Sequence, residues 1–363
     1  MALSAVALQS VARDKIDLSP LAWDITLDPQ AQWANDKLFT PPVSMASLPV
    51  NLPTGGWQLL DHPQKTGVHL PATVEGEMWG WNGQTYGVTG NYVGVSWFRT
   101  QVDVPANWQG KRIALQFDAV RFRAEIFVNR QLVGYDLVNS TPFEVDITPY
   151  AKVGQKNEVA VRITDPNGNF NWKDSQCYAW GAYLTNPSHG FGGITGRVHL
   201  VATDNTFIRD MFVENTPAAS TVKVHIAAEG VKQATPLKLE LRERGSNKVV
   251  WSRQEQMDGS EKTLTLSLPQ AKLWSVEEPN LYELTAKLGN DELTQRFGFR
   301  WFEVRDVKGD RQFYLNGKRI VFKGTNRHDF CAESGRAISE DKIRRDLLTM
   351  KRNNINAVRT SHY

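Results

Sequence analysis

Short segments in which apolar and polar residues alternate occur throughout the first half of the chain. In Arg112–Phe117 and Glu158–Thr164, every second residue is apolar and would lie on one face of an extended strand. This period of two indicates half-buried β-strands. The pair Asn129-Arg130 separates two further segments of this kind and predicts a hairpin turn. Many short strands joined by turns are typical of a β-sandwich, which we predict for residues 20–205.

A second set of alternating segments follows between residues 206 and 302. Its members are Thr221–Ala227, Pro236–Leu241, Leu264–Leu268, Leu281–Leu288 and Leu293–Phe299. About a hundred residues with five or more such strands fit an immunoglobulin-like β-sandwich. We find no residues with evident chemistry in this stretch, and we interpret it as a packing module.

The pattern changes again after about residue 303. Two short apolar runs, Arg319–Lys323 and Ile355–Val358, each lead into a cluster of polar residues. Between them, Ser339 is a good helix cap. Apolar residues then recur at helical spacing, at Ile343, Leu347 and Met350. Strand, helix and strand in this order predict a unit of a parallel sheet, with the polar clusters at the carboxyl ends of its strands.

Each polar cluster contains a histidine, His328 in the first and His362 in the second. Neighbouring parallel strands lie about 5 Å apart, so both side chains are expected at one edge of the sheet. We favour a shared substrate site over two separate structural histidines. Arg359 could form an internal ion pair, and Asn326 could cap a turn or contact the same ligand.

The composition excludes some classes of protein. A net charge of +3 with 22% charged residues provides no concentrated basic surface for nucleic acid. The sequence contains no run of 18 apolar residues, so we expect no membrane span. The apolar run Ala2–Leu8 and the small residues that follow it resemble the second half of a secretion signal, although the positively charged start is missing. We expect a periplasmic or secreted protein, with a cytoplasmic location as the alternative.

Three segments together resemble family 2 of the glycoside hydrolases, and most closely its β-galactosidase branch. They are FKGTNRHDF at residues 322–330, MKRNNINAVRTSHY at 350–363 and LWSVEEPNLYELT at 273–285. The resemblance implies a mainly β protein with three parts. Residues 20–205 would form a jelly-roll sugar-binding domain and 206–302 an immunoglobulin-like sandwich. Residues 303–363 would form the first βαβ unit of a catalytic (β/α)8 TIM barrel that this sequence does not complete.

The resemblance also implies roles for individual residues. His328 and His362 would hydrogen-bond the hydroxyl groups of a sugar, with Asn326 and Asn91 as further substrate contacts. Arg359 would orient a nucleophilic carboxylate and keep it ionised. In this family such residues serve a retaining exo-β-glycosidase, here one that removes terminal β-D-galactosides.

The acid/base and nucleophile carboxylates of the resembled enzymes come from later barrel strands, so we expect none in this chain and expect the chain alone to be inactive. For the same reason we expect no metal site here, although Mg²⁺ is possible in the full-length enzyme. The expected partner is a β-glycoside substrate, with no nucleic acid and no membrane span, and the full-length enzyme could be a homo-oligomer.

Two features leave the substrate open. Asp329 stands where the β-galactosidases have glutamate, and Arg197 stands where the resemblance expects an aspartate facing galactose. A β-glucuronidase or another family 2 glycosidase is therefore an alternative. Because nine of the twelve tryptophans precede residue 181, a non-catalytic carbohydrate-binding sandwich is another. The aromatic segment 75–98 could stack on sugar rings or pack its own aromatic side chains into the sandwich.

Overall fold

The computed structural model describes residues 13–32, 50–78, 92, 94–136, 140–165, 191–331 and 333–360. These residues form two compact units. One is built from the described residues of 15–202, 326–353 and 358–363, and the other from those of 1–14, 203–325 and 354–357. The protein is mainly β, as the alternating patterns predict, and no described helix is long and apolar enough to cross a membrane.

The amino-terminal sandwich contains a four-stranded sheet in the order β1-β12-β6-β9, a six-stranded sheet in the order β3-β2-β5-β10-β7-β8, and the short pair β11-β4. The strands are β1 Asp14–Asp17, β2 Trp23–Asp28, β3 Lys65–Val68, β4 Ala72–Thr73, β5 Gly94–Asp103, β6 Arg112–Phe117, β7 Arg123–Val128, β8 Gln131–Asp136, β9 Phe143–Asp146, β10 Lys156–Asp165, β11 Gly193–Ile194 and β12 Val198–Thr203. Two 3₁₀ helices, Trp57–Asp61 and Ala106–Trp108, lie in its loops, and residues 74–78 are helical.

The core of this sandwich lies between the inward faces of its two larger sheets. Trp23, Phe98 and Phe117 are among its completely buried side chains. The predicted hairpin is confirmed, because β7 and β8 pair antiparallel across Asn129 and Arg130, whose φ angles are 50° and 69°. Two consecutive left-handed residues match the twist of the strands that they join.

The second sandwich consists of a three-stranded sheet, β13-β14-β17, and a four-stranded sheet, β16-β15-β18-β19. Its strands are β13 Phe207–Asn215, β14 Thr221–Glu229, β15 Thr235–Glu243, β16 Val249–Met257, β17 Glu261–Ser267, β18 Tyr282–Leu288 and β19 Asp291–Phe297. In its core the ring of Phe299 packs edge to face against Tyr282 and Phe297, with centroids 5.1 and 5.0 Å apart, and the rings of Tyr282 and Phe297 are tilted by 32° at 6.3 Å.

A small antiparallel sheet follows, made of β20 Phe302–Val307, β21 Asp310–Leu315 and β22 Lys318–Ile320. The last elements are β23 Gly324–Arg327, the helix α1 Glu340–Arg352 and β24 Ala357–Thr360, and β23 pairs with β24. The side chain of Ser339 accepts a hydrogen bond from the backbone N–H of Lys342 and so caps α1, as predicted.

The predicted bounds of the two strands around α1 were wrong. We expected the apolar run Arg319–Lys323 to form the first strand, but the start of this run pairs with β21 instead. The reason is the turn Asn316-Gly317, whose φ angles of 50° and 79° fold the chain back into a hairpin. The strand that leads to α1 therefore begins at Gly324, and β24 begins at Ala357 rather than Ile355.

Candidate functional site

The strands β23 and β24 start side by side and run parallel. A Cβ atom on Gly324, the first residue of β23, would lie 3.5 Å from the Cβ atom of Ala357, the first residue of β24. The side chain of Asn356 also accepts a hydrogen bond from the backbone N–H of Lys323 at 2.8 Å, just before the strands. The third residues, Asn326 and Arg359, consequently lie level in the sheet.

The side chain of Arg327 defines which face of β23 is turned to the helix. Its Nε atom donates to Oδ2 of Asp346 on α1 at 3.1 Å, and its guanidinium group also bonds Asp329. Because successive side chains of a strand point to opposite faces, Asn326 lies on the face away from α1. Asn326, His328 and Arg359 are all exposed. The structure thus brings Asn326 and Arg359 to one open face, with His328 just beyond the end of β23.

Two of the predicted substrate contacts, His362 and Asn91, lie outside the described residues. Asp329 has a role within the fold, because its carboxylate bonds Arg327 and its carbonyl oxygen accepts from Nη1 of Arg336 at 3.1 Å. Arg197, which stands at the position expected to face the sugar, forms ion pairs with Asp118 and with Glu340 in the first turn of α1. Both side chains therefore take part in ion pairs within the fold.

The described part of the aromatic segment packs inside the sandwich. Tyr92 and Trp97 are completely buried, and the Tyr92 hydroxyl donates to the carbonyl of Val95 at 2.6 Å. For these two residues stacking on a sugar ring is excluded, because neither ring is accessible. Trp79, Trp81 and Tyr86 lie outside the described residues.

The sequence analysis did not predict a group of buried charged residues in the amino-terminal sandwich. Glu125 on β7 pairs with Arg162 on β10 at 2.5 Å and lies 3.4 Å from the Nη2 atom of Arg123. Asn51 donates to its second carboxylate oxygen at 2.7 Å. The register that places Glu125 beside Arg162 is a tertiary property, so no local signal predicts the pair.

A second buried group consists of Glu75 and Asp165 around Gly192. Oδ2 of Asp165 accepts the backbone N–H of Gly192 at 3.0 Å, and the carbonyl of Gly192 accepts the N–H of Val74 at 2.9 Å. Glu75 is 1% exposed, and its Oε1 atom accepts the N–H of Tyr92 at 2.9 Å. Burial, together with the negative charge of Asp165, raises the pKa of Glu75 to about 8, against opposing hydrogen bonds from backbone N–H groups. Glu75 is therefore protonated at neutral pH.

The described residues contain no group of three or more histidine, cysteine, aspartate or glutamate side chains that could hold a metal ion. The open face of β23 and β24 instead presents amide, imidazole and guanidinium groups. These groups can hydrogen-bond hydroxyl groups and can pair with an anion.

Models of one known protein family match nearly the whole chain. Residues 22–203 match the sugar-binding domain of the family 2 glycosyl hydrolases, 206–300 match the following domain of the same family, and 304–363 match its TIM barrel domain. The chain belongs to glycoside hydrolase family 2. The three matches follow one another in a single order along the chain, so the open face of β23 and β24 lies within the part that matches the family's barrel.

Similar family 2 proteins include several β-galactosidases. The chain is 34% identical over 290 residues to a β-galactosidase of Clostridium acetobutylicum, covering 77% of this chain and 30% of that protein. It is 32% identical over 269 residues to the β-galactosidase large subunit of Leuconostoc lactis, covering 72% of this chain and 40% of that subunit. The chain therefore spans less than half the length of these curated relatives.

Solved structures of family 2 enzymes share the fold. The β-glucuronidase of Ruminococcus gnavus superposes with a TM-score of 0.71 at 20% identity, covering 98% of this chain and 55% of that one. The β-glucuronidase of Bacteroides uniformis superposes with a TM-score of 0.70 at 24% identity, covering 97% of this chain and 40% of that one. At these identities the similarity concerns the fold and does not indicate the substrate.

Proposed function

We propose that this chain forms the substrate-facing amino-terminal part of a retaining exo-β-glycosidase that removes terminal β-D-galactosides. The observation that carries the proposal is the open face on which Asn326 and Arg359 lie level, with His328 beyond the end of β23. The names of the relatives that are 30% or more identical to the chain support galactosides as the substrates.

The proposed roles follow from the chemistry of each group. A histidine and an amide at one end of a sheet can exchange hydrogen bonds with sugar hydroxyl groups, and such bonds strengthen as the ring flattens toward the oxocarbenium-like transition state. His328 and Asn326, together with His362 and Asn91, take this role. Arg359 keeps the nucleophilic carboxylate ionised because an adjacent positive charge lowers the pKa of a carboxyl group.

A retaining glycosidase also needs two carboxylates about 5–5.5 Å apart. We propose that both come from residues beyond this sequence, so that the 363-residue chain binds and orients the sugar but does not cleave it. We propose no metal site within the chain. If Mg²⁺ acts in the full-length enzyme, its ligands lie in the same additional part.

An assay with three chromogenic substrates tests the proposal. The 363-residue chain and a longer polypeptide from the same gene are incubated with 4-nitrophenyl β-D-galactoside, β-D-glucuronide and β-D-mannoside. We expect hydrolysis of the galactoside by the longer polypeptide only. NMR of the released sugar should show that the anomeric configuration is retained. Turnover by the 363-residue chain would contradict the proposal that both carboxylates come from residues beyond this sequence. If the longer polypeptide prefers the glucuronide, the β-glucuronidase alternative is supported.

Substitution of His328 tests its role in the longer polypeptide. Replacing His328 with alanine is expected to lower kcat/KM about 100-fold, because hydrogen bonds that strengthen in the transition state are typically worth about 2–4 kcal/mol. His225→Ala is the matched control, because that histidine lies on the sheet of the second sandwich and bonds Glu214 and Thr263. Equal effects of both substitutions would show that His328 does not contact the substrate.

Titration with galactose separates a glycosidase from a non-catalytic sugar-binding sandwich. If residues 1–300 alone bind galactose as tightly as the longer polypeptide does, the binding site lies in the sandwiches and the glycosidase proposal is wrong. Binding that requires the segment with β23 and β24 supports it.

A further inference from the structure

Residues 328–331 and 333–337 of the loop between β23 and α1, called the loop 328–337 below, are tied together by their own hydrogen bonds. Cys331 and Gly335 exchange backbone hydrogen bonds of 2.9 Å in both directions, and the N–H of Phe330 donates to the carbonyl of His328 at 3.0 Å. The buried Arg336 side chain reaches back to the carbonyl of Asp329. Because the loop is braced in this way, fixing one side of it fixes the backbone around His328.

One residue of the amino-terminal sandwich, Phe191, contacts this loop at two points. Its ring lies edge-on to the ring of Phe330, with centroids 5.4 Å apart and planes at 78°. Its edge also lies against Gly335, where a Cβ atom would come within 2.5 Å of the Phe191 ring. Gly335 has a φ of 58°, so glycine suits this position both in conformation and in space. Nearby, a Cβ atom added to Gly76 would lie 3.5 Å from the carbonyl oxygen of Ser334, so the backbone at Gly76 also lies close to this loop.

The backbone of Phe191 is held in an uncommon conformation. Its φ is 62°, in the left-handed region that bulky residues avoid. The residues that follow hold it there, since Gly192 is bonded to Asp165 and Val74, and Gly193 pairs with Thr73 and with Arg121. Such conformations persist where the surroundings over-determine them, and they concentrate at functional sites.

We propose that Phe191 is a positioning residue, which clamps the loop 328–337 and thereby fixes His328 at the end of β23. The significance for sugar binding rests on the proposed function, whereas the clamp itself does not. His328 is exposed and two residues from Phe330, so its position depends on the backbone of this loop. A polar contact that must match a sugar hydroxyl within a fraction of an ångström needs such support.

Hydrogen exchange on the 363-residue chain tests the clamp directly. Phe191→Ala is expected to speed exchange of the backbone amides of residues 330–337 about tenfold, while strands β13 to β19 stay unchanged. Phe330→Ala, at a half-exposed ring, is expected to have a similar effect, and the double variant little more than either single one. Phe212→Ala is the control, because Phe212 is exposed on the second sandwich and its ring stacks on His225.

The outcomes separate the clamp from the proposed function. Unchanged exchange in Phe191→Ala, or additive effects in the double variant, overturns the clamp whatever the activity. Faster exchange in Phe191→Ala supports the clamp. If the longer polypeptide is inactive on all three glycosides, that result counts against the proposed function but not against the clamp. If the longer polypeptide is active, Phe191→Ala is expected to lower kcat/KM about tenfold through His328. Phe191→Ala combined with His328→Ala should then cost little more than His328→Ala alone.

Discussion

Replacing Glu125 with glutamine is expected to lower the free energy of unfolding of the amino-terminal sandwich by about 3–5 kcal/mol. Glu125 is completely buried, and its carboxylate faces the guanidinium groups of Arg162 and Arg123. Glutamine keeps the shape of the side chain and an acceptor for Asn51. It removes the negative charge, however, and two positive charges in a low-dielectric interior then lose the carboxylate that balances them.

The change is measured by urea unfolding followed by tryptophan fluorescence and circular dichroism. Glu229→Gln is the matched control, since Glu229 lies 3.7 Å from Arg209 and both side chains are about half exposed. Water screens such a pair, so the control is expected to change stability by less than about 1 kcal/mol. Equal changes in the two variants would mean that the buried pair contributes no more than a surface pair.

Replacing Glu75 with glutamine is expected to remove a pH dependence of stability and to stabilise the protein in mildly alkaline solution. In the folded chain the pKa of Glu75 is raised to about 8 by burial and by the charge of Asp165, from an ordinary value of 4.5. The folded state therefore keeps a proton that the unfolded chain releases. Between pH 4.5 and pH 8, unfolding releases this proton, and stability falls as the pH rises.

The sign and size of the effect follow from this linkage. The favourable contribution of protonated Glu75 is fully present below pH 4.5 and is lost as the pH rises through about 8. The full difference between a pKa of 4.5 and one of about 8 corresponds to a free energy on the order of 5 kcal/mol. Glutamine resembles the protonated acid, so Glu75→Gln and the parent should unfold alike at pH 4.5, whereas at pH 8.5 the variant should be more stable by roughly 4–5 kcal/mol.

Urea unfolding at intervals from pH 4.5 to 8.5 checks this prediction. Glu77→Gln provides the control two residues away, because Glu77 is partly exposed and lies 3.8 Å from Lys65. We expect this variant to follow the parent at every pH within about 0.5 kcal/mol. If the free energy of unfolding of Glu75→Gln also follows that of the parent at every pH, the Glu75 carboxyl group does not retain its proton in the folded chain and the prediction is wrong.

Several features of the site could be read from local sequence because their causes are local. Ser339 caps α1 since a hydroxyl group at that position can reach the N–H of Lys342 without help from elsewhere in the fold. Asn316-Gly317 is a hairpin signal of the same kind, and it predicts that the first strand of the βαβ unit begins after Ile320. The polar residues Thr325–Arg327, which we expected to follow the strand, are themselves part of β23.

By itself, the sequence determined the class of the fold and the family, because alternation of apolar residues and short motifs are properties of neighbouring positions. Only the tertiary structure decided which charged groups are buried together. Glu125 and Arg162 are 37 residues apart and meet through strand register, while Glu75 and Asp165 meet around Gly192. It likewise decided that Phe191 meets Phe330 and Gly335. The energy of a buried charge or a packed ring depends on what surrounds it, and the folded chain alone supplies those surroundings.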